Sequence, residues 1–176
     1  SPPEGEFVVM NYRVSGEFHA PFRVFPFVEE TSQHQLEMVV KVRADIDLKN
    51  HGSNVKVLFN VPKSAGTVSL HIDKSKDGQS NNQVAEYKES GKEVEWTIKK
   101  FQGQTEHTLV ARITLTAPSN AMTRKELGPI RLSFEVPMYN ASHLQVRYLR
   151  IDADSRYKSF KWVRYVTQAN SYVCRV

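Results

Sequence analysis

Leu36-Glu37-Met38-Val39-Val40-Lys41-Val42-Arg43-Ala44-Asp45-Ile46 is the stretch that decides the fold class. Leu36, Met38, Val40, Val42, Ala44 and Ile46 take alternate positions, and Glu37, Lys41, Arg43 and Asp45 stand between them. Successive side chains of an extended backbone point to opposite faces, so this period of two predicts a strand with one buried and one solvated face. Working outward, Val55, Val57, Phe59 and Val61 repeat the pattern up to Pro62, which has no N–H for a ladder. Val94, Trp96 and Ile98 alternate with Glu93, Glu95, Thr97 and Lys99. Leu109, Ala111, Ile113 and Leu115 precede Pro118, and Ile130, Leu132, Phe134 and Val136 precede Pro137. Shorter strands are expected at 7–10 and 22–25.

Turn chemistry separates these runs: Asn50-His51-Gly52, Asp77-Gly78, Ser90-Gly91 and Gln102-Gly103. Residues 73–83 read as a polar loop and 117–128 as a second long loop. No capped segment carries apolar residues at helical spacing for three turns. Many short strands between turns predict an all-β, immunoglobulin-like sandwich. After Pro137 three more strands are expected, at 144–151, 161–166 and 171–176. They either extend the first sandwich or belong to a second sheet whose other strands lie upstream of Ser1.

Within that tail, Lys161-Trp162-Val163-Arg164-Tyr165-Val166 sends Trp162 and Arg164 to one face and Val163 and Tyr165 to the other. An indole beside a guanidinium can hold another aromatic ring and its hydroxyl. The competing reading is a core tryptophan with a solvated arginine two positions on.

Composition narrows the functional classes. The chain has 176 residues, 40% hydrophobic and 24% charged, an ordinary globular balance. The net charge of +5 is carried by residues 141–176, where Arg147, Arg150, Arg156, Lys158, Lys161, Arg164 and Arg175 face only Asp152 and Asp154. Such an end favours an anionic partner. The basic residues are not interleaved with stacking aromatics in any RNA-binding motif, so no nucleic-acid partner is expected. Cys174 is the sole cysteine, which excludes an internal disulfide and fits a reducing, cytosolic setting. The opening Ser1-Pro2-Pro3-Glu4-Gly5-Glu6 is neither a signal nor a transit peptide and reads as the interior of a longer protein.

His19, His34, His51, His71, His107 and His143 do not fall at metal-ligand spacing with a cysteine or carboxylate. There is no Gly-rich phosphate loop and no nucleophile elbow. No enzyme, metal or cofactor is expected.

Several motifs together resemble a known family. Leu144-Gln145-Val146-Arg147-Tyr148-Leu149-Arg150, Lys161-Trp162-Val163-Arg164-Tyr165 and the closing Tyr172 and Arg175 resemble the end of the mu homology domain, the carboxyl-terminal part of adaptor-complex medium (mu) subunits. Pro2-Pro3-Glu4-Gly5-Glu6-Phe7, Met10-Asn11-Tyr12-Arg13, Pro21-Phe22-Arg23-Val24, Tyr87-Lys88-Glu89-Ser90, Trp96-Thr97-Ile98-Lys99 and Phe134-Glu135-Val136-Pro137 follow in family order. Pro137-Met138-Tyr139-Asn140 and the run 165–172 look most like the medium subunit of the fourth adaptor complex in its plant-like form.

The resemblance implies an elongated all-β domain of two lobes, one inserted in the other. Residues 1–138 would be the inserted lobe. Residues 139–176 would be the last strands of the outer lobe, most of which lies upstream. It also implies a cargo-recognition role in a vesicle coat, with Tyr-x-x-hydrophobic signals in the cytosolic tails of membrane cargo bound by β-augmentation. Trp162 and Arg164 would flank the cargo tyrosine. Val146, Leu149 and Val163 would line the hydrophobic pocket beside the stem of Lys161. The implied partners are the other subunits of a heterotetrameric adaptor, peripheral on trans-Golgi and endosomal vesicle membranes. Two other functions stay open: an assembly lobe without cargo, or a basic phosphoinositide-binding domain, for which the resemblance aligns the family's lipid-binding lysines near Lys74, Lys76, Lys88 and Lys92.

Overall fold

The computed structural model describes residues 2–74, 81–152 and 156–176. Nine strands form two antiparallel sheets among the described residues. They are β1 (Phe22–Ser32), β2 (Gln35–Ala44), β3 (His51–Asn60), β4 (Ala65–Ile72), β5 (Gln83–Lys88), β6 (Glu93–Gln102), β7 (Glu106–Leu115), β8 (Ile130–Pro137) and β9 (Val166–Cys174). One sheet has the order β1-β2-β7-β4 and the other β5-β6-β3-β8-β9. The all-β expectation holds.

The core lies between the sheets and follows the alternation read from the sequence. Met38, Val40 and Val42 of β2 are fully buried, as are Val55, Val57 and Phe59 of β3, Trp96 and Ile98 of β6, and Leu109 and Ala111 of β7. Phe22 packs against Phe101 and Phe134, with ring centroids 5.2 and 4.8 Å apart, and so joins three strands at one end. The opposite faces carry cross-strand ion pairs, among them Lys88 with Glu95 at 2.7 Å and Arg112 with Glu37 at 3.0 Å. β1 is an edge strand, and it carries Pro26 opposite Val40.

Close backbone approach fixes one end of the sandwich. A Cβ on Gly103, between β6 and β7, would stand 2.0 Å from the Asp47 carbonyl oxygen. Only hydrogen fits there, and Gly103 N–H donates to Asn50 O at 2.9 Å.

Several expectations are corrected. β4 and β5 were not foreseen, and His51 and Gly52 lie in β3 rather than in a turn. The loop 117–128 contains a helix, α1 (Ala121–Glu126), started by Asn120, whose side-chain oxygen accepts from Met122 and Thr123 N–H. The Asp77-Gly78 turn, Lys76 and most of the 73–83 loop lie outside the described residues. Residues 7–10 form no strand: Val8 and Val9 are exposed and no described strand pairs with them.

The largest correction concerns the tail. Residues 144–151 and 161–165 are extended in sequence pattern but belong to no sheet. A strand is stabilised by a ladder on at least one side, and no described backbone offers one to these segments. The last strand begins at Val166 rather than Ser171, and it pairs with β8 from Pro137↔Val166 to Ile130↔Cys174. β9 therefore extends the first sandwich.

Candidate peptide-binding site

After β8 the chain leaves the sandwich as an arm and returns at β9. Met138 and His143 have φ of 57° and 58°, left-handed conformations that redirect the outgoing segment. The Thr167 hydroxyl donates to Tyr139 O at 2.8 Å and accepts from Ala141 N–H at 3.1 Å. Asn140 Nδ2 donates to Leu144 O, and the Tyr12 and Ser142 hydroxyls lie 2.6 Å apart. Polar groups from both ends of the arm, and Tyr12 from far earlier in the chain, thus close its base.

All six residues expected at the site lie on this arm. Val146 and Leu149 stand on the outgoing segment, and Lys161, Trp162, Val163 and Arg164 on the returning one. Each is exposed, and the Trp162 side chain is 75% accessible. The core-tryptophan reading of Trp162 is thereby excluded for the described structure. A hydrogen bond brings the two segments together: Val146 N–H donates to the Tyr165 hydroxyl at 2.9 Å. No cation–π contact joins Arg164 to Trp162 among the described residues; the described ones are Arg23 with Phe25 and Lys158 with Phe160.

The arm remains rich in unburied apolar surface. Leu144, Tyr148, Ile151, Tyr157 and Phe160 are exposed alongside the six. So many exposed large apolar side chains on one described segment are unusual for a folded surface. Sequence reading missed Tyr165 and Thr167 as organisers of the arm. The signal for Tyr165 was available, since alternation places it on the face of Val163.

The alternative cationic site is less well formed. Lys88 Nζ is 2.7 Å from Glu95, which holds the Lys88 amine above its ordinary value and the Glu95 carboxyl below its own, chiefly through this hydrogen bond. Lys92 Nζ donates to Ala65 O at 2.7 Å. Among the described residues no group of three or more His, Cys, Asp or Glu is placed to hold a metal ion. No described helix is long and apolar enough to cross a membrane.

Comparison with known proteins decides the family. The model of the "Adaptor complexes medium subunit family" matches residues 1–176. The chain belongs to that family. It is 41% identical to the AP-4 complex subunit mu of Arabidopsis thaliana over 176 residues, covering 99% of this chain and 38% of that protein. It is 36% identical to the AP-2 complex subunit mu of Dictyostelium discoideum, covering 99% of this chain and 38% of the relative. The chain thus spans about two fifths of the length of these relatives. Among solved structures, the Fcho1 mu homology domain of Danio rerio, solved with a bound Eps15 peptide, superposes with a TM-score of 0.59 at 15% identity. That match covers 88% of this chain and 49% of the Fcho1 chain, and at this identity it speaks to the fold. The resemblance to a medium-subunit mu homology domain is confirmed, and the family is one of adaptors rather than enzymes.

Proposed function

We propose that the chain is part of the cargo-recognition module of a vesicle-coat adaptor, and that it binds Tyr-x-x-hydrophobic signals in cytosolic tails of membrane proteins by β-augmentation. The observation that carries this reading is the Trp162 ring, 75% accessible on a segment paired with no strand. Burying a large apolar side chain is worth roughly 1.5–3 kcal/mol, so a ring left in water is available to a guest. An extended peptide could add its backbone along residues 161–164 and set alternate side chains into pockets. In this reading Trp162 and Arg164 flank the cargo tyrosine, while Val146, Leu149 and Val163, with the stem of Lys161, receive the hydrophobic residue.

The same reading divides the chain into an inserted lobe, residues 1–138, and outer-lobe strands, residues 139–176. β9 would then tie the two lobes together through its ladder with β8. The unpaired segments 144–151 and 161–165 would find their remaining neighbours in chain that precedes residue 1. The whole protein would work within a heterotetrameric adaptor, peripheral on trans-Golgi and endosomal vesicle membranes.

Calorimetric titration of the intact medium subunit with a Tyr-x-x-Leu peptide tests the proposal. Micromolar binding is expected, since ordering a flexible peptide offsets much of the contact energy. Trp162→Ala should weaken it at least about tenfold with the melting temperature unchanged, a loss of about 1.4 kcal/mol. Unchanged affinity, or a variant that no longer folds, would instead favour an assembly role for the arm.

A further inference from the structure

The two segments that carry the proposed site are held in register by a side chain outside it. We propose that Tyr165 is a positioning residue for peptide recognition, and that its hydroxyl sets the spacing between the hydrophobic pocket and the aromatic cradle. This inference rests on the reading given under Proposed function.

The geometry is specific. Val146 N–H donates to the Tyr165 hydroxyl at 2.9 Å, across a separation of 19 residues. Val146 belongs to the hydrophobic half of the site, and Tyr165 directly follows Arg164 of the aromatic half. Two residues further on, Thr167 bridges to Tyr139 O and Ala141 N–H and closes the base of the arm. The two points of attachment together fix the sliding of one segment along the other.

A hydroxyl does something here that a backbone carbonyl could not. In an ordinary antiparallel pair the Val146 N–H would be met by main-chain oxygen of the returning segment, and that edge would be spent. Tyr165 satisfies the donor with a side chain instead. Among the described residues, the main chain of 161–164 enters no strand ladder and no turn hydrogen bond. The clasp thus holds the segments together while leaving main-chain donors and acceptors for an incoming peptide. The role assigned to Tyr165 is carried by its hydroxyl, which is engaged by the outgoing segment.

A ligand-side cycle on the intact medium subunit tests this. Peptides of the form Tyr-x-x-Leu and Tyr-x-x-Ala are titrated into the unmodified protein and into Tyr165→Phe, which removes one oxygen and keeps the ring. The expected result is a fall of about three- to tenfold in affinity for the leucine peptide, the worth of about one net hydrogen bond. The alanine peptide should lose little, so the leucine-to-alanine preference shrinks by a similar factor while the melting temperature holds. Thr167→Val should act in the same direction and Thr167→Ser should restore binding, which covers the case of a Tyr165→Phe protein that folds poorly. Equal losses for both peptides, or no loss, would overturn the positioning role. If the unmodified protein binds neither peptide, it is the underlying cargo reading that fails.

Discussion

The two tryptophans of this chain sit in similar alternating runs and meet opposite fates. Trp96 in β6 is fully buried, and its Nε1–H donates to Gln83 Oε1 at 3.1 Å. Gln83 Nε2, which can only donate, lies 3.1 Å from His107 Nδ1 and makes that nitrogen the acceptor. The indole is therefore satisfied at its polar end and packed at its apolar one. Trp162 is exposed on an arm that no strand pairs. Local pattern is nearly the same in the two places. What differs is a second layer: β6 has β3 and β5 as neighbours and an opposing sheet across the core, whereas residues 161–165 have none of these.

Paired truncations give the sharpest attempt to break this contrast. Trp96→Ala should destabilise the fold by about 3–5 kcal/mol, because it opens a cavity and removes the buried indole hydrogen bond to Gln83. Trp162→Ala should change stability by less than about 0.5 kcal/mol, as for a surface position. Chemical denaturation measures both, and comparable losses would mean that the arm is packed in solution. A second pair compares glycines. Gly103→Ala should cost roughly 1–3 kcal/mol, since its Cβ would collide with the Asp47 carbonyl. Gly91→Ala, where a Cβ meets nothing within 4 Å, should be close to neutral. The smallest effect concerns Glu95. Its carboxyl is held below the ordinary value by Lys88, so its contribution is present above the unfolded value and is lost as pH falls through the lower folded one. Glu95→Gln should lower stability at pH 7 and flatten the pH dependence on the acid side, read from melting curves between pH 7 and 3.

The sequence was most legible where one face of a strand is fully buried. β2, β3, β6, β7 and β8 follow their alternation because each lies inside a sheet and one face meets the core. β4 was missed although Val68, Leu70 and Ile72 alternate with Thr67, Ser69 and His71; it is a short edge strand whose apolar face is only half-buried, and β5 offers only Val84 and Ala85 beside Tyr87. Helix α1 is six residues long and owes its start to Asn120, too little for a periodic signal. In the tail, alternation predicted a strand at 161–166 but could not supply partners for it, and 161–164 are all exposed. Trp162 and Arg164 stood out from the residues themselves, and Val146, Leu149, Lys161 and Val163 were named from family resemblance. That they lie together on one arm, and that a tyrosine hydroxyl links its two sides, became visible only in three dimensions.

Pro26 has a consequence beyond its place in β1. An unshielded outer strand can recruit a second molecule backbone to backbone, and repetition of that event seeds fibrils. The pyrrolidine nitrogen has no hydrogen to give, so such growth loses a rung in the middle of β1. Pro26 thus acts as a guard on that margin of the sheet, where β1 has a neighbour on one side alone among the described residues.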